Sequence, residues 1–175
     1  MPFSDPANKP WTIEKIKEIN PSTILDCGAG AGIYSDLVRK NLSQEIIIDA
    51  IEIWQPYIDE YGLENKYDNL YKIDLREVNN FSYDLVIFGD VLEHMSEDEA
   101  LLVWDKVSRQ SKYAIISIPI IHYHQDAVGG NPYEIHVEED WNTERILKSF
   151  HSIKEYKEFD VTGVFIAEFK NEIYS

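Results

Sequence analysis

Leu25-Asp26-Cys27-Gly28-Ala29-Gly30-Ala31-Gly32 joins an apolar run, Thr23 to Asp26, to a segment in which Leu37, Val38 and Leu42 recur at helical spacing. A strand that ends in closely spaced glycines and passes at once into a helix lets the backbone turn sharply and approach a ligand closely. The start of the helix offers N–H groups to anionic or polar ligand atoms. Several nucleotide-binding folds share such a turn, and spacing separates them. The dinucleotide fingerprint G-x-G-x-x-G would place its third glycine at Ile33, and no Gly-Lys-Ser/Thr of a phosphate-binding loop follows. What remains is D-x-G-x-G-x-G. With no basic residue nearby, it suits a ligand without phosphates.

Outward from this turn, short strands and helices alternate. Ile46 to Glu52, Leu70 to Asp74, Asp84 to Phe88 and Tyr113 to Ile118 read as strands, and Pro56 to Tyr61 as a short helix. Ser96-Glu97-Asp98-Glu99 has the spacing of a capping box and opens a helix with Ala100, Val103, Trp104 and Val107 facing the core. Asn142 is expected to cap a last helix, with Trp141 and Ile146 as its hydrophobic staple. The tail reads as two strands, 153–159 and 164–169, joined tightly at Thr162-Gly163. At the other end, three prolines in the first ten residues suggest an irregular arm, and Thr12 can cap a short helix stopped at Asn20-Pro21. The pattern predicts an open, mostly parallel α/β sheet whose continuous apolar strands are covered on both faces by helices.

The chain has 175 residues, enough for one domain with a single core. An arm and short helix over 1–20 and one domain over 21–175 are the expected division. Acidic residues outnumber basic ones 32 to 16, and a formal charge of -16 disfavours nucleic acid as a partner. No apolar run approaches the roughly 18 residues of a membrane span. The first residues lack the basic-then-apolar pattern of a secretory leader, and the one cysteine, Cys27, cannot form an internal disulfide. A cytoplasmic protein acting on a small molecule, away from membranes, is the expectation.

Two further acids extend the site. Glu52 ends the second strand, where a carboxylate can accept from both hydroxyls of a ribose, and Asp74 ends the third, where it can accept from an adenine amino group. A strand-end acid packs against little, so removing Glu52 is expected to spare the fold.

With these segments the chain resembles the class I S-adenosylmethionine-dependent methyltransferases, in particular small-molecule members of the type 11/12 kind. The resemblance rests on Leu25–Gly32, Ile51–Glu52, Lys72–Leu75 and, above all, Tyr83–Met95, which reads Tyr-Asp-Leu-Val-Ile-Phe-Gly-Asp-Val-Leu-Glu-His-Met. Tyr113–Pro119 matches more loosely, and the likeness spans roughly 20–170. It implies a Rossmann-like seven-stranded sheet of order 3-2-1-4-5-7-6, with strand 7 antiparallel, and S-adenosylmethionine as cofactor. Carried over by position, Asp26, Gly28, Ala29 and Gly30 surround the methionine part, and Glu52 holds the ribose. Ile53 or Trp54 covers the adenine, Asp74 with Leu75 reads its edge, and Gly89, Asp90 and Val91 line the floor near the methyl. That topology requires residues 75–82 to pass from strand 3 to strand 4. Eight extended residues reach about 26 Å, while three strand spacings need about 14 Å, so the connection needs no helix.

Methyl transfer needs in-line positioning more than a dedicated base. His136, after the fifth strand, is the candidate base, with a structural loop histidine as its alternative. His94 reads as a hydrogen-bonding residue, and Cys27 as packing beneath the turn. Trp11 and Tyr34 are candidates to close over the cofactor. His122, His124, Asp126, Glu134 and His136 contain metal-binding residue types, but no second tightly spaced pair accompanies His122 and His124, so no metal is expected. A nicotinamide-dependent oxidoreductase and a non-catalytic cofactor-binding or interaction module stay open as alternatives.

Overall fold

The computed structural model describes residues 6–169. Seven strands form one sheet: β1 (Thr23–Cys27), β2 (Ile47–Ile51), β3 (Asn69–Tyr71), β4 (Leu85–Gly89), β5 (Tyr113–Pro119), β6 (Ile153–Glu158) and β7 (Thr162–Glu168). Their order is β3-β2-β1-β4-β5-β7-β6, with β7 antiparallel to both β5 and β6 and the other pairs parallel. The expected topology is the observed one.

Alternation along the buried strands divides the interior in two. Ile24, Leu85, Ile87 and Ile115 point to a core closed by α1 (Lys9–Ile19), α2 (Ile33–Asn41) and α3 (Gln55–Tyr61) through Ile13, Ile16, Tyr34, Val38 and Ile58. Leu25, Cys27, Val86, Phe88 and Ile116 point the other way, against Val103, Trp104 and Val107 of α4 (Glu97–Gln110) and Ile146 of α5 (Thr143–Ser149). Both faces are covered, which is why these strands read as unbroken apolar runs. The capping box opens α4: Ser96 Oγ accepts from the Glu99 N–H, and Glu99 Oε2 accepts from the Ser96 N–H. Asn142 caps α5 by accepting from the Arg145 N–H, and Trp141 and Ile146 are both buried.

Four local expectations are corrected. The N-terminal helix starts at Lys9, after a 3₁₀ turn over Pro6–Asn8, because Pro10 in its first turn has the helical φ already set. Thr12 therefore lies inside the helix, its hydroxyl donating to the Asn8 carbonyl at 3.0 Å. Over residues 6–10 the expected irregular arm is instead helical, and Asn8 Nδ2 donates to Ser117 Oγ and Thr162 Oγ1, stitching it to β5 and β7, while residues 1–5 lie outside the described residues. The β6–β7 turn closes at Phe159, whose N–H donates to the Thr162 carbonyl, so Thr162 and Gly163 belong to β7. Gly163 is required by packing rather than by the turn, since a Cβ there would meet the Phe165 ring at 2.7 Å. Finally, β3 stops at Tyr71. Its last bond to β2 is from the Glu52 N–H to the Tyr71 carbonyl, so Asp74 lies beyond the strand and caps the 3₁₀ turn Leu75–Glu77. From there the chain reaches β4 without an α-helix, pinned by Lys106 Nζ on the Val78 carbonyl and Gln110 Oε1 on the Phe81 N–H.

Candidate functional site

Strand order reverses between β1 and β4, so the loops leaving their carboxyl ends diverge and open a crevice. The crevice holds a pocket that opens to solvent. Its walls include Gly28, Ala29, Gly30, Glu52, Ile53, Asp74, Leu75, Asp90 and Val91. These are nine of the ten residues expected to bind a cofactor; the tenth, Asp26, lies beneath the glycine turn. Among the described residues no helix is long and apolar enough to cross a membrane.

The glycine turn is held differently from the open cradle expected of it. The N–H groups of Gly28 and Ala29 both donate to the Ile51 carbonyl, at 2.9 and 3.1 Å, and that of Gly30 donates to Glu52 Oε2 at 2.9 Å. Glu52 Oε1 accepts from the Trp54 N–H at 2.8 Å. Glu52 is thus 6% exposed and bridges the ends of β1 and β2, which corrects the expectation that its loss spares the fold. Burial raises its pKa above the usual carboxylate value, against the backbone donors of Trp54, Gly30 and Ile53 that lower it. Gly28, Gly30 and Gly32 all take positive φ, and at Gly28 (φ 72°) a Cβ would lie 2.8 Å from Val91 Cγ2. Glycine there permits both the turn and the close approach of the loop after β4.

That loop is itself unusual. Asp90 takes φ 56°, a conformation non-glycine residues rarely adopt, and donates its N–H to the Ser117 carbonyl while Oδ1 accepts from Ser117 Oγ. Across the pocket, Asp74 is clasped by Arg76, which also reaches Glu99 at 2.9 Å. The guanidinium, the main influence, holds the Asp74 carboxyl below its ordinary pKa. Tyr34 lines the wall and its hydroxyl accepts from Lys9 Nζ at 2.8 Å, whereas Trp11 packs with α1 beside Lys15.

Asp26 is 1% exposed and accepts from the Tyr67 hydroxyl at 2.6 Å. Burial, the largest influence, lifts its pKa from the ordinary 3.8 to about 6. The folded state therefore holds the proton more tightly. The stability this contributes is complete below pH 3.8 and is lost as pH rises through about 6. Asp26→Asn keeps an acceptor for Tyr67 and removes the buried charge. Its stability relative to wild type should rise between pH 4 and pH 8 by up to about 3 kcal/mol. Denaturant curves for the two proteins that stay parallel across that range would refute it.

The connection between β5 and α5 forms the remaining wall, and sequence reasoning missed it. Gly129 and Gly130 turn the chain through positive φ, Asn131 accepts from the Tyr133 N–H, and Asn131, Tyr133 and Glu134 reach the pocket. Tyr133 meets Trp54 at 6.2 Å between ring centroids. Gly-Gly-Asn-Pro was legible as a turn, but nothing local says where it lands. His136, the candidate base, does not line the pocket. It is 7% exposed and sits behind His94, which does, with ring centroids 5.0 Å apart. His122 and His124 lie elsewhere, pairing with Asp140 and Glu139.

No protein-family model and no curated protein sequence matches the chain. Solved structures do. A SAM-dependent methyltransferase from Aquifex aeolicus superposes with TM-score 0.67 at 18% identity, covering 95% of each chain. The 1,6-didemethyltoxoflavin-N1-methyltransferase of Burkholderia thailandensis, solved with that compound and S-adenosylhomocysteine, gives 0.68 at 13% identity over 94% of this chain and 78% of its own. The chain spans 54% of the mitomycin 7-O-methyltransferase MmcR, with TM-score 0.65 at 12% identity, and 56% of a chain from Nostoc punctiforme PCC 73102.

The fold is that of the class I methyltransferases. In this methyltransferase fold the crevice at the β1–β4 switch point is where the pocket, the glycine turn and Glu52 come together.

Proposed function

We propose that the chain is an S-adenosylmethionine-dependent methyltransferase acting on a small molecule. One observation carries the reading: the pocket is acidic and offers no home for a pyrophosphate. Glu52, Asp74, Asp90 and Glu134 line it, while its one arginine, Arg76, is committed to Asp74 and Glu99. The Gly28, Ala29 and Gly30 N–H groups are already bonded to the end of β2. A dinucleotide would meet carboxylates, with the Gly28, Ala29 and Gly30 donors already engaged, whereas a ligand bearing an ammonium, a sulfonium and ribose hydroxyls meets complementary charge and acceptors.

When bound, S-adenosylmethionine supplies a methyl group on a cationic sulfur that leaves as a neutral thioether. Glu52 accepts from the ribose hydroxyls through the lone pairs its backbone donors leave. Ile53 and Leu75 cover the adenine, and Asp74 faces its edge. The glycine turn approaches the methionine part, and Asp90 and Val91 form the floor beneath the reacting carbon. Asn131, Tyr133 and Glu134 close the opposite wall, excluding water and holding the acceptor in line, which is where most of the acceleration arises.

Calorimetry and thermal melts with S-adenosylhomocysteine and with NAD test this. The homocysteine compound should bind and raise the melting temperature, by about 2.7 kcal/mol of added stability at a hundred times its Kd, and NAD should leave it unchanged. A response to NAD alone would overturn the proposal. Methyl transfer from labelled S-adenosylmethionine to an acceptor panel distinguishes an enzyme from a module that only binds.

A further inference from the structure

We infer that Glu93, His94 and His136 form a binding site for a divalent transition-metal ion of the zinc type, opening on the pocket through His94. They are the one such group of three among the described residues, each offering a ligand atom within 4.8 Å of the others. Ligands at about 2.1 Å from a tetrahedral ion stand about 3.4 Å apart, so small side-chain rotations close the set.

Glu93 supplies the strongest reason. It is 1% exposed, and neither carboxylate oxygen has a hydrogen-bond partner. A buried carboxylate without donors is costly, and a cation between it and two imidazoles removes the cost. The imidazoles are prepared for such an ion. His94 Nδ1 lies 3.2 Å from the Ile135 carbonyl and His136 Nδ1 lies 2.7 Å from that of Tyr123. A carbonyl only accepts, so both Nδ1 atoms carry the hydrogen and both Nε2 atoms keep a free lone pair. This is the outer-sphere arrangement that orients metal-binding histidines.

The backbone holds the three together across 43 residues of sequence. The N–H groups of Val137 and Glu138 both donate to the Glu93 carbonyl, at 2.9 and 3.1 Å, clamping the His136 segment onto the turn that bears Glu93 and His94. Two imidazoles and one carboxylate favour zinc, manganese, iron or cobalt over magnesium or calcium. Three protein ligands leave positions open, as in catalytic sites. Since His94 lines the pocket, those positions suit an acceptor bearing a hydroxyl or carboxylate oxygen, a role that rests on the methyltransferase reading. His136 is then a metal ligand and not a general base.

The test is calorimetric titration of chelator-treated full-length protein with zinc chloride, repeated with cobalt(II) to read its visible absorption bands. Wild type should bind one equivalent, and cobalt should show bands of nitrogen and oxygen coordination. Glu93→Gln and His136→Ala should each weaken zinc binding by at least tenfold. His122→Ala, at an exposed histidine outside the group, should leave it unchanged. No saturable binding by wild type, or wild-type affinity in folded Glu93→Gln or His136→Ala, would overturn the site, as would loss of binding in His122→Ala. If Glu93→Gln does not fold, His136→Ala and the cobalt spectrum decide. S-adenosylhomocysteine affinity is measured on the same proteins: zinc binding without it sustains the metal site and removes the methyltransferase reading.

Discussion

Gly28→Ala should abolish measurable binding of S-adenosylhomocysteine and lower stability by about 2–4 kcal/mol. Two costs add. The residue sits at φ 72°, where a side chain costs roughly 1–2 kcal/mol. The new methyl would also stand 2.8 Å from Val91 Cγ2, so the loop after β4 must withdraw. Both costs fall on the pocket, because Gly28 and Val91 line it and the Gly28 N–H ties the turn to Ile51. For a domain of this size the melting temperature should fall by roughly 5–15 °C. Val91→Ala in the same chain removes the 2.8 Å contact, keeps one of 3.2 Å to Cβ and leaves the φ cost, so the double variant should recover part of the stability. Unchanged melting in Gly28→Ala would show that the turn is not held as described.

Glu52→Ala should lower affinity for S-adenosylhomocysteine by roughly tenfold to several-hundredfold, since hydrogen bonds to a charged acceptor contribute about 1.5–3 kcal/mol each. It should also destabilise the unliganded protein by about 2–4 kcal/mol, because the Gly30 and Trp54 N–H groups lose their acceptor in a nearly closed site. Water entering from the pocket sets the lower bound. Glu52→Gln retains one acceptor oxygen, so it should fall between wild type and alanine on both measures. Burial raises the Glu52 pKa, so affinity should also weaken as pH falls and the carboxyl takes up its proton. Titration calorimetry paired with denaturant curves separates the two effects. Alanine at wild-type affinity in a folded protein would remove Glu52 from the ribose role.

Both results depend on contacts of different legibility. The alternation of strands and helices, the glycine turn and the capping of α4 follow from local rules. Apolar periodicity, the spacing of Gly28, Gly30 and Gly32, and the offset from Ser96 to Glu99 act over a few residues, and the sequence states them directly. The nine residues of the candidate cofactor wall follow instead from the resemblance, and they lie at or just beyond strand ends that topology brings to one crevice.

The acid at position 52 shows where local reading stops. A carboxylate at a strand end looks the same in sequence whether it faces solvent or bridges two backbones. Only the pairing of β1 with β2 brings Gly30 beside it. Asp74 was placed on β3, but a strand lasts only as long as its partner, and β2 leaves it at Tyr71. The wall built by Asn131, Tyr133 and Glu134, and the meeting of Glu93 and His94 with His136, join segments dozens of residues apart. By itself the sequence determined the strands, the helices and a mostly parallel sheet, because those depend on periodicity and turn chemistry, while the order of the strands came from the resemblance. The tertiary structure decided which carboxylates are buried and which loop closes the pocket, because burial and long-range hydrogen bonds exist only once the whole chain has packed.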